Sequence, residues 1–218
     1  MRLCPLRLVR CGFAHNKKIF SSEIVLTKLL HAGAHTFIRV GTTGSIQEDV
    51  KMGDIVINDS NIRLDGTSNF YMMPEYPASA SFEVVAALVE ACENLGFAYH
   101  VGTGCTCGSF YTGQCRTTYN DFRPSNLDKM FDDLRSAGVL NFEMEGSTIT
   151  TMARIFGKRA AMCATVVAHR LTGEWDENPD AEQRACLVGA EAMRILTKWD
   201  NLKEANGKKF FFPGLAKI

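Results

Sequence analysis

The sequence predicts a single α/β domain with a central mixed β-sheet flanked by helices. Short branched and apolar runs alternate with longer segments in which apolar residues recur every three or four positions. This alternation continues through most of the 218 residues without an internal repeat or a linker long enough to separate two domains. A sheet with helices packed on it is the architecture that such an alternation favours.

The elements are bounded mainly by glycines and by serines able to cap a helix. In chain order they are a helix from Ser21 or Ser22 to Gly33, strands at 36–40 and 54–57, a helix from Phe82 to Gly96, and a strand from Tyr99. They continue with a helix from Ser125 to Gly138, a strand at 139–142, a helix ending at Gly157, a strand at 160–168 and a helix from about Asp180 to Thr197. The predicted inner face of the second helix consists of Phe82, Val85, Val89 and Cys92.

Residues 1–19 differ from the rest, because they are basic and no acidic residue precedes Glu23. Such a start is compatible with a mitochondrial targeting segment. Pro5 and Gly12 interrupt any helix there, and Ser and Thr are absent, which favours an alternative N-terminus instead. We therefore expect an unmatched basic segment at 1–19 and a domain at 20–218.

Composition excludes several classes of function. The net charge of +0 gives no electrostatic support for binding nucleic acid or a membrane surface. No apolar run approaches the roughly 20 residues that cross a bilayer. The eight cysteines form no CxxC pair, which indicates reduced buried thiols in a cytoplasmic protein. Zinc bound by Cys105, Cys107, Cys115 and a distant His is the alternative, but the spacing fits no closed tetrahedral site.

The first candidate segment runs from Arg39 to Gly44. Gly41 and Gly44 allow a tight turn close to a ligand, and Thr42 and Thr43 add hydroxyl donors. The planar guanidinium of Arg39 suits a phosphate. The alternative is an ordinary turn after a strand, with a surface arginine.

The second segment is Glu143-Met144-Glu145, at the junction of an apolar strand and a helix. A buried carboxylate needs hydrogen-bond donors, and the two hydroxyl groups of a ribose supply them. The alternative is a pair of helix N-terminal acids that face water.

The third segment runs from Phe110 to Arg116. Phe110 can stack on a base, Gln114 offers a donor and an acceptor to an imide edge, and Arg116 can donate to a carbonyl oxygen. The alternative is a polar surface loop with one packed aromatic ring.

Four motifs in this order and spacing resemble uridine phosphorylases of the nucleoside phosphorylase-I family: Phe-Ile-Arg-Val-Gly-Thr-Thr-Gly, Phe-Tyr-Thr-Gly-Gln-Cys-Arg, Asn-Phe-Glu-Met-Glu-Gly and Val-Ala-His-Arg ending at Arg170. The resemblance runs from about Ser21 to Thr197. It implies catalytic roles for Arg39, Glu145 and Arg116. It further implies phosphate binding by Arg39 and Thr42, ribose binding by Thr42, Glu143, Met144 and Glu145, and uracil binding by Thr43, Gly44, Phe110, Gln114, Arg116, Val167, Ala168 and Arg170.

The resemblance also implies the reaction, which is reversible phosphorolysis of uridine to uracil and ribose 1-phosphate. Inorganic phosphate is the co-substrate, and neither a metal nor another cofactor is expected. Purine-specific relatives carry an Asp about 25 positions after the first Glu of Glu-Met-Glu, where this chain has Ala168. A pyrimidine is therefore the expected base.

The chain departs from the family at its start. Residues 1–19 match none of the family's first strands, phosphate loop or arginines, so we expect an N-terminally truncated domain with weaker phosphate binding. Family members are trimers of dimers, so the resemblance implies a homo-oligomer, a dimer or a hexamer, and we expect the truncation to act against this assembly. The alternative is a catalytically impaired paralogue that binds a nucleoside or assembles with an active subunit.

Overall fold

The computed structural model describes residues 22–176 and 180–217, so the basic segment at 1–19 and Ser21 lie outside the described residues. Five α-helices are present in these ranges: α1 (Ser22–His31), α2 (Phe82–Leu95), α3 (Leu127–Ser136), α4 (Gly146–Ile155) and α5 (Asp180–Ala205). The seven strands are β1 (Thr36–Ser45), β2 (Ile55–Leu64), β3 (Ala78–Ser79), β4 (Tyr99–Cys107), β5 (Asn141–Glu143), β6 (Arg159–His169) and β7 (Glu174–Trp175). The predicted α/β class with a mixed sheet is confirmed.

The sheet closes on itself, which the sequence did not reveal. β1 is parallel to β6 and antiparallel to β5, while β4 is parallel to both β2 and β5. An antiparallel pairing of β2 with β6 completes a ring of five strands. β3 and β7 extend the sheet beside β2 and β6. Closure pairs the edges of these five strands within the molecule.

Polar side chains occupy part of the interior of this ring. Asn58 donates to the Asn141 side chain at 2.8 Å, and Asn141 donates to the Thr43 hydroxyl at 2.7 Å. All three residues are buried, and the Thr43 hydroxyl donates in turn to the Phe142 carbonyl. The network therefore links β1, β2 and β5 across the ring and satisfies polar groups that would otherwise be costly to bury.

Helices cover the ring from two sides. α2 and α5 pack on β2 and β6 through a cluster that includes Val84, Leu88, Val188 and Ile195. α1 and α4 cover the other side through a cluster that includes Leu26, Phe37, Met152 and Ala153. Glycines with positive φ end α2 and follow α1 and α3, as the sequence predicted, because only glycine adopts that conformation without steric cost.

Several element boundaries differ from the predicted ones. β1 and β2 are each at least twice as long as expected, because their polar second halves are stabilised by pairing in the ring rather than by an apolar pattern. β4 begins at Tyr99, as expected, and continues to Cys107. Asn126 rather than Ser125 is the N-cap of α3. The buried face of α2 contains Val84, Ala87, Leu88, Ala91 and Cys92, whereas Phe82 is 58% exposed. α5 continues past Thr197 to Ala205.

The C-terminal tail folds against α2 and α5. Phe211 stacks on Trp199 with ring centroids 4.0 Å apart, and its backbone N–H donates to Glu83 at 2.8 Å. Glu83 also accepts from Lys203 at 2.8 Å. This pairing explains the extension of α5, because its last two turns carry Trp199 and Lys203 to this contact.

Candidate active site

The directions of the strands bring the first two candidate segments together. β5 runs antiparallel to β1, with Gly44 opposite Phe142. The chain that leaves β5 therefore passes back along β1 toward Arg39. In open α/β sheets, ligands commonly bind at the carboxyl ends of parallel strands. In this protein, the segment with Glu143 and Glu145 lies alongside β1 instead, next to Arg39.

Arg39 and Glu145 form the central ion pair of the site. The Nε and Nη2 atoms of Arg39 donate to Glu145 Oε2 at 3.0 and 2.6 Å, and Nε lies 3.6 Å from Glu143 Oε2. Burial alone would lower the pKa of Arg39, but Glu145 and Glu143 outweigh it and hold that pKa above its ordinary value. The guanidinium therefore stays charged inside the fold.

Gly41 makes the position of Arg39 possible. A Cβ atom at Gly41 would lie 3.2 to 3.3 Å from three atoms of the Arg39 guanidinium. The arginine side chain thus lies flat over the glycine two residues later on the same face of β1. The close approach that the sequence predicts between Gly41 and a ligand is made here by the Arg39 side chain.

Glu143 faces inward and holds the start of α4. Its Oε2 accepts from the backbone N–H groups of Glu145 and Gly146, both at 2.8 Å, and its Oε1 accepts from the Thr106 hydroxyl. Only 2% of Glu143 is exposed. Burial raises its pKa above the ordinary value, although Arg39 and these donors favour the charged form.

The segment with Gln114 and Arg116 is fixed by Arg170. Arg170 Nη1 donates to the Gln114 carbonyl at 2.6 Å, and Nη2 donates to the Cys115 carbonyl at 3.4 Å. Cys115 has a φ of 58°, so the chain turns sharply between Gln114 and Arg116. Gln114 is buried, and its position depends on the end of β6 that carries Arg170.

Arg116 is stacked on aromatic rings. Its guanidinium lies 4.8 Å from the Phe110 ring centre and 5.8 Å from that of Trp175. Burial lowers the pKa of Arg116, and burial together with Arg116 lowers that of Arg170 to about 10. Both groups remain cationic at neutral pH and form a positive region.

Gly44 connects the two halves of the site. A Cβ atom at Gly44 would lie 3.7 Å from Arg170 Cδ and from Ala168 Cβ. Val167 is the extra residue of a bulge in β6, because Thr43 is opposite Val166 while Gly44 is opposite Ala168. Thr42 is paired with Thr165 in the same ladder. Strand β1 is thus linked to Glu145 through Arg39 and, through Arg170 beside Gly44, to the segment that contains Gln114.

Two of the predicted residues have surroundings that the sequence did not indicate. The Thr43 hydroxyl is engaged inside the ring of strands and is 4% exposed. Met144 is partly buried between the two glutamates. A surface depression of about 600 Å³ lies along α5 between Arg194 and Ala205, outside the candidate site. The candidate site is defined by its convergent side chains.

Comparison with known proteins decides the family. A sequence model described as the Phosphorylase superfamily matches residues 6–197, which is most of the chain.

The chain belongs to the phosphorylase superfamily.

Individual members of the superfamily are also similar. A uridine phosphorylase of Thermococcus kodakarensis is 46% identical over 195 residues, which cover 89% of this chain and 70% of that protein. A uridine phosphorylase of Escherichia coli is 38% identical over 180 residues, covering 81% and 71%. A guanosine phosphorylase of Halorubrum lacusprofundi is 32% identical over 178 residues, covering 80% and 68%. The superfamily match begins at residue 6, upstream of the domain boundary expected at residue 20.

Two residues at or near the site, Trp175 and Thr106, lie outside the four motifs quoted above. Trp175, half-exposed, meets the Phe110 ring edge-on at 6.1 Å and lies over Arg116. A lone tryptophan in the polar stretch Thr-Gly-Glu-Trp-Asp-Glu was the available signal. Thr106 beside Glu143 carried no signal, because only the register of β4 with β5 brings them together.

The described cysteines are free thiols, and Cys105, Cys107 and Cys115 belong to one core cluster with Phe142 and Leu134. Among residues 22–176 and 180–217, no three His, Cys, Asp or Glu side chains are arranged to hold a metal ion. None of the helices in these ranges is long and apolar enough to span a membrane.

Proposed function

We propose that this chain catalyses the reversible phosphorolysis of uridine to uracil and ribose 1-phosphate, with inorganic phosphate as co-substrate and no other cofactor. The observation that carries the proposal is that Arg39 of β1 binds Glu145, while Arg170, which lies beside Gly44 of the same strand, binds the backbone of the Gln114–Arg116 segment. The names of the Thermococcus and Escherichia relatives support the choice of uridine.

Arg39 supports a phosphate subsite. Two of its three nitrogens contact Glu145, whereas Nη1 is buried and has no hydrogen-bond partner among the described residues. A buried donor without an acceptor is costly, and a phosphate oxygen would satisfy it with a charge-assisted bond. We propose that Thr42, the residue after Gly41, adds a hydroxyl to the same anion.

Glu145 supports the ribose subsite. Its carboxylate is 21% exposed and contacts Arg39 on one side, so it can accept from ribose hydroxyls on the other. We propose that Met144 packs under the sugar and that Glu143 acts from beneath, by fixing the backbone that carries Glu145. As the glycosidic bond breaks, the sugar gains positive charge, which the carboxylate and the incoming phosphate stabilise.

Arg116 and Arg170 support the base subsite. Uracil leaves with negative charge on its carbonyl oxygens, and pre-positioned cations stabilise such charge most where water is excluded. The Arg116 Nε is buried without a partner among the described residues and is therefore available as a donor. We propose that Gln114 reads the imide edge, that Phe110 packs on the base, and that Thr43, Gly44, Val167 and Ala168 line its remaining side.

Ala168 supports a pyrimidine over a purine. It is buried in β6 next to Gly44 and has no acidic group to protonate a purine nitrogen. Gln114 matches the donor and acceptor of an imide edge. We propose that inosine and guanosine are poor substrates, although the superfamily includes the Halorubrum guanosine phosphorylase.

The direct test is phosphate-dependent release of uracil from uridine by the purified protein, with inosine as the matched control. We expect release that rises with phosphate concentration and little hypoxanthine from inosine. Release of hypoxanthine at an equal or higher rate would contradict the pyrimidine assignment, and the absence of both products would contradict phosphorolysis.

We further propose that the protein acts in pyrimidine salvage in the cytoplasm and that its domain comprises residues 20–218. We also propose that it forms a homo-oligomer, either a dimer or a hexamer. Sedimentation of the purified chain at micromolar concentration tests the assembly. A monomer over the whole concentration range would contradict it.

A further inference from the structure

A second buried carboxylate lies near the start of α4, outside the residues proposed to contact substrate. Asp65 follows β2, is 9% exposed and accepts four hydrogen bonds. Two come from the backbone N–H and hydroxyl of Ser68, both at 2.7 Å. The other two come from the Ser147 hydroxyl at 2.5 Å and the Thr148 hydroxyl at 2.7 Å, in the first turn of α4.

These donors keep Asp65 ionised inside the fold. Burial would raise its pKa, but the hydroxyls of Ser147 and Thr148 and the donors of Ser68 outweigh burial and hold the pKa below its ordinary value. An ionised carboxylate only accepts hydrogen bonds, so each of its oxygens can take two of the four donors. An ionised Asp65 therefore accepts all four hydrogen bonds. An asparagine could not do so, because its amide nitrogen donates and does not accept.

The loop that supplies Ser68 is itself fixed. Arg63 Nε donates to the Ser68 hydroxyl at 3.0 Å, and its Nη2 donates to the Ser68 carbonyl at 2.7 Å. The other guanidinium contacts are with carbonyl groups of Met72, Met73 and Tyr76. Asp65 therefore joins a braced loop to α4, and little movement is left to either partner.

A chain of hydrogen bonds continues from Asp65 to the candidate site. The Ser147 N–H donates to the Thr106 hydroxyl at 2.9 Å, and that hydroxyl donates to Glu143. Glu143 in turn accepts from the N–H groups of Glu145 and Gly146. The first turn of α4 is held between two buried carboxylates, Asp65 and Glu143.

The space around this turn is closed. A Cβ atom at Gly146 would lie 2.6 Å from Met162 Sδ and 2.8 Å from Glu143 Oε1. Since Glu145 is the N-cap residue immediately before this turn, the direction of its side chain depends on where the turn is held.

We propose that Asp65 is a positioning residue, which acts through Ser147, Thr148 and Thr106 to hold the Glu145 carboxylate against Arg39. Its kinetic consequence rests on the proposed function, because Glu145 is there the acceptor for the ribose hydroxyls. Loosening the turn by 1 Å or so misplaces that carboxylate while leaving the fold in place.

The kinetic test uses a matched pair of variants at Thr148. Thr148→Val keeps the shape but removes the donor to Asp65, whereas Thr148→Ser keeps the donor and removes a methyl group. We expect Thr148→Val and Asp65→Asn to lower kcat for uridine by about 10- to 100-fold, and Thr148→Ser to retain most of it.

Asp200→Asn is the control, because it removes a carboxylate that binds Arg159 and Lys203 at 2.7 and 2.9 Å in a separate network. It should lower Tm but leave kcat and KM unchanged.

Hydrogen exchange of residues 143–150 supplies a readout that does not require activity. In Asp65→Asn and Thr148→Val we expect faster exchange of the amides of Glu145, Gly146 and Ser147, and in Thr148→Ser and Asp200→Asn we expect wild-type protection there. Wild-type protection of these amides in Asp65→Asn would overturn the positioning role, whatever the activity.

The two proposals fail in different ways. If the wild-type protein releases no uracil, the proposed function is wrong, and hydrogen exchange still decides whether Asp65 holds the turn. If the wild type is active and Asp65→Asn has unchanged kcat and KM, the proposed function stands and the positioning role is wrong. Equal losses of kcat in Thr148→Val and Thr148→Ser would likewise contradict a role for the hydrogen bond.

Discussion

Burial lowers the pKa of both Arg116 and Arg170, and the charge of Arg116 lowers that of Arg170 further. Arg116 is stacked on Phe110 and Trp175, and Arg170 is bonded to backbone carbonyls; neither has an ion pair with a described carboxylate. Two cations without such partners favour a ligand that develops negative charge. The proposed leaving group, uracil, is such a ligand.

At this scale we predict that Arg116→Ala lowers kcat/KM for uridine phosphorolysis by about 100- to 1000-fold, because a charge-stabilising donor to the leaving base is lost. Steady-state kinetics with uridine as the varied substrate measure the effect. Arg123→Ala is the matched control, since Arg123 is about one-third exposed and pairs with Asp128. Unchanged kcat/KM in Arg116→Ala would show that the base binds elsewhere.

Residue type marks the residues of the candidate site in the sequence, whereas the contacts that they make are visible only in the structure. Arg39, Gln114, Arg116, Glu143 and Glu145 were marked by residue type at strand ends. The inward direction of the Glu143 side chain could not be predicted, because a sequence does not show which backbone N–H groups a carboxylate contacts. Asp65 carried no signal either, since its partners Ser147 and Thr148 are more than 80 positions away.

At the scale of elements, the antiparallel β5 is the arrangement on which the site depends. It is only three residues long, yet its direction returns Glu143 and Glu145 toward Arg39. Apolar periodicity identifies a strand but not its direction in a sheet, so this could not be predicted. The C-terminal tail shows the same limit, because Phe211 gains its partner only when α5 continues to Trp199.

For the tail we predict that Phe211→Ala lowers the free energy of unfolding by about 2–3 kcal/mol, since a partly buried ring stacked on Trp199 is lost. Urea unfolding followed by tryptophan fluorescence measures it. Phe210→Ala, at a half-exposed ring beside Phe82, should have a smaller effect. Equal effects of the two variants would show that the stack contributes little.

At the scale of the whole molecule, closure of the sheet restricts which side chains fit in its interior. Asn58 reaches Asn141 across β4, and Gly104 leaves room for it. A Cβ atom at Gly104 would lie 2.5 to 2.8 Å from the Asn58 amide. The glycine is therefore a requirement of the ring and not of the local strand.

We predict that Gly104→Ala destabilises the protein by about 1–3 kcal/mol, because the added methyl group forces the Asn58–Asn141 network apart. Thermal or urea unfolding measures it. Gly102→Ala is the control on the same strand, since the three atoms nearest to its Cβ all belong to the flexible Leu140 side chain, the first at 3.0 Å. A Gly104→Ala variant as stable as Gly102→Ala would contradict the role of the interior network.

The α/β class, most of the elements and the residue types of the candidate site could be predicted from the chain, because apolar periodicity, capping signals and motifs are local features. Only the folded molecule shows that five strands close into a ring, that β5 runs antiparallel to β1, and that Asp65, Thr106 and Glu143 share one hydrogen-bond network. These outcomes depend on strand direction and register between distant segments, which are set by packing of the whole chain and leave no mark on any one segment.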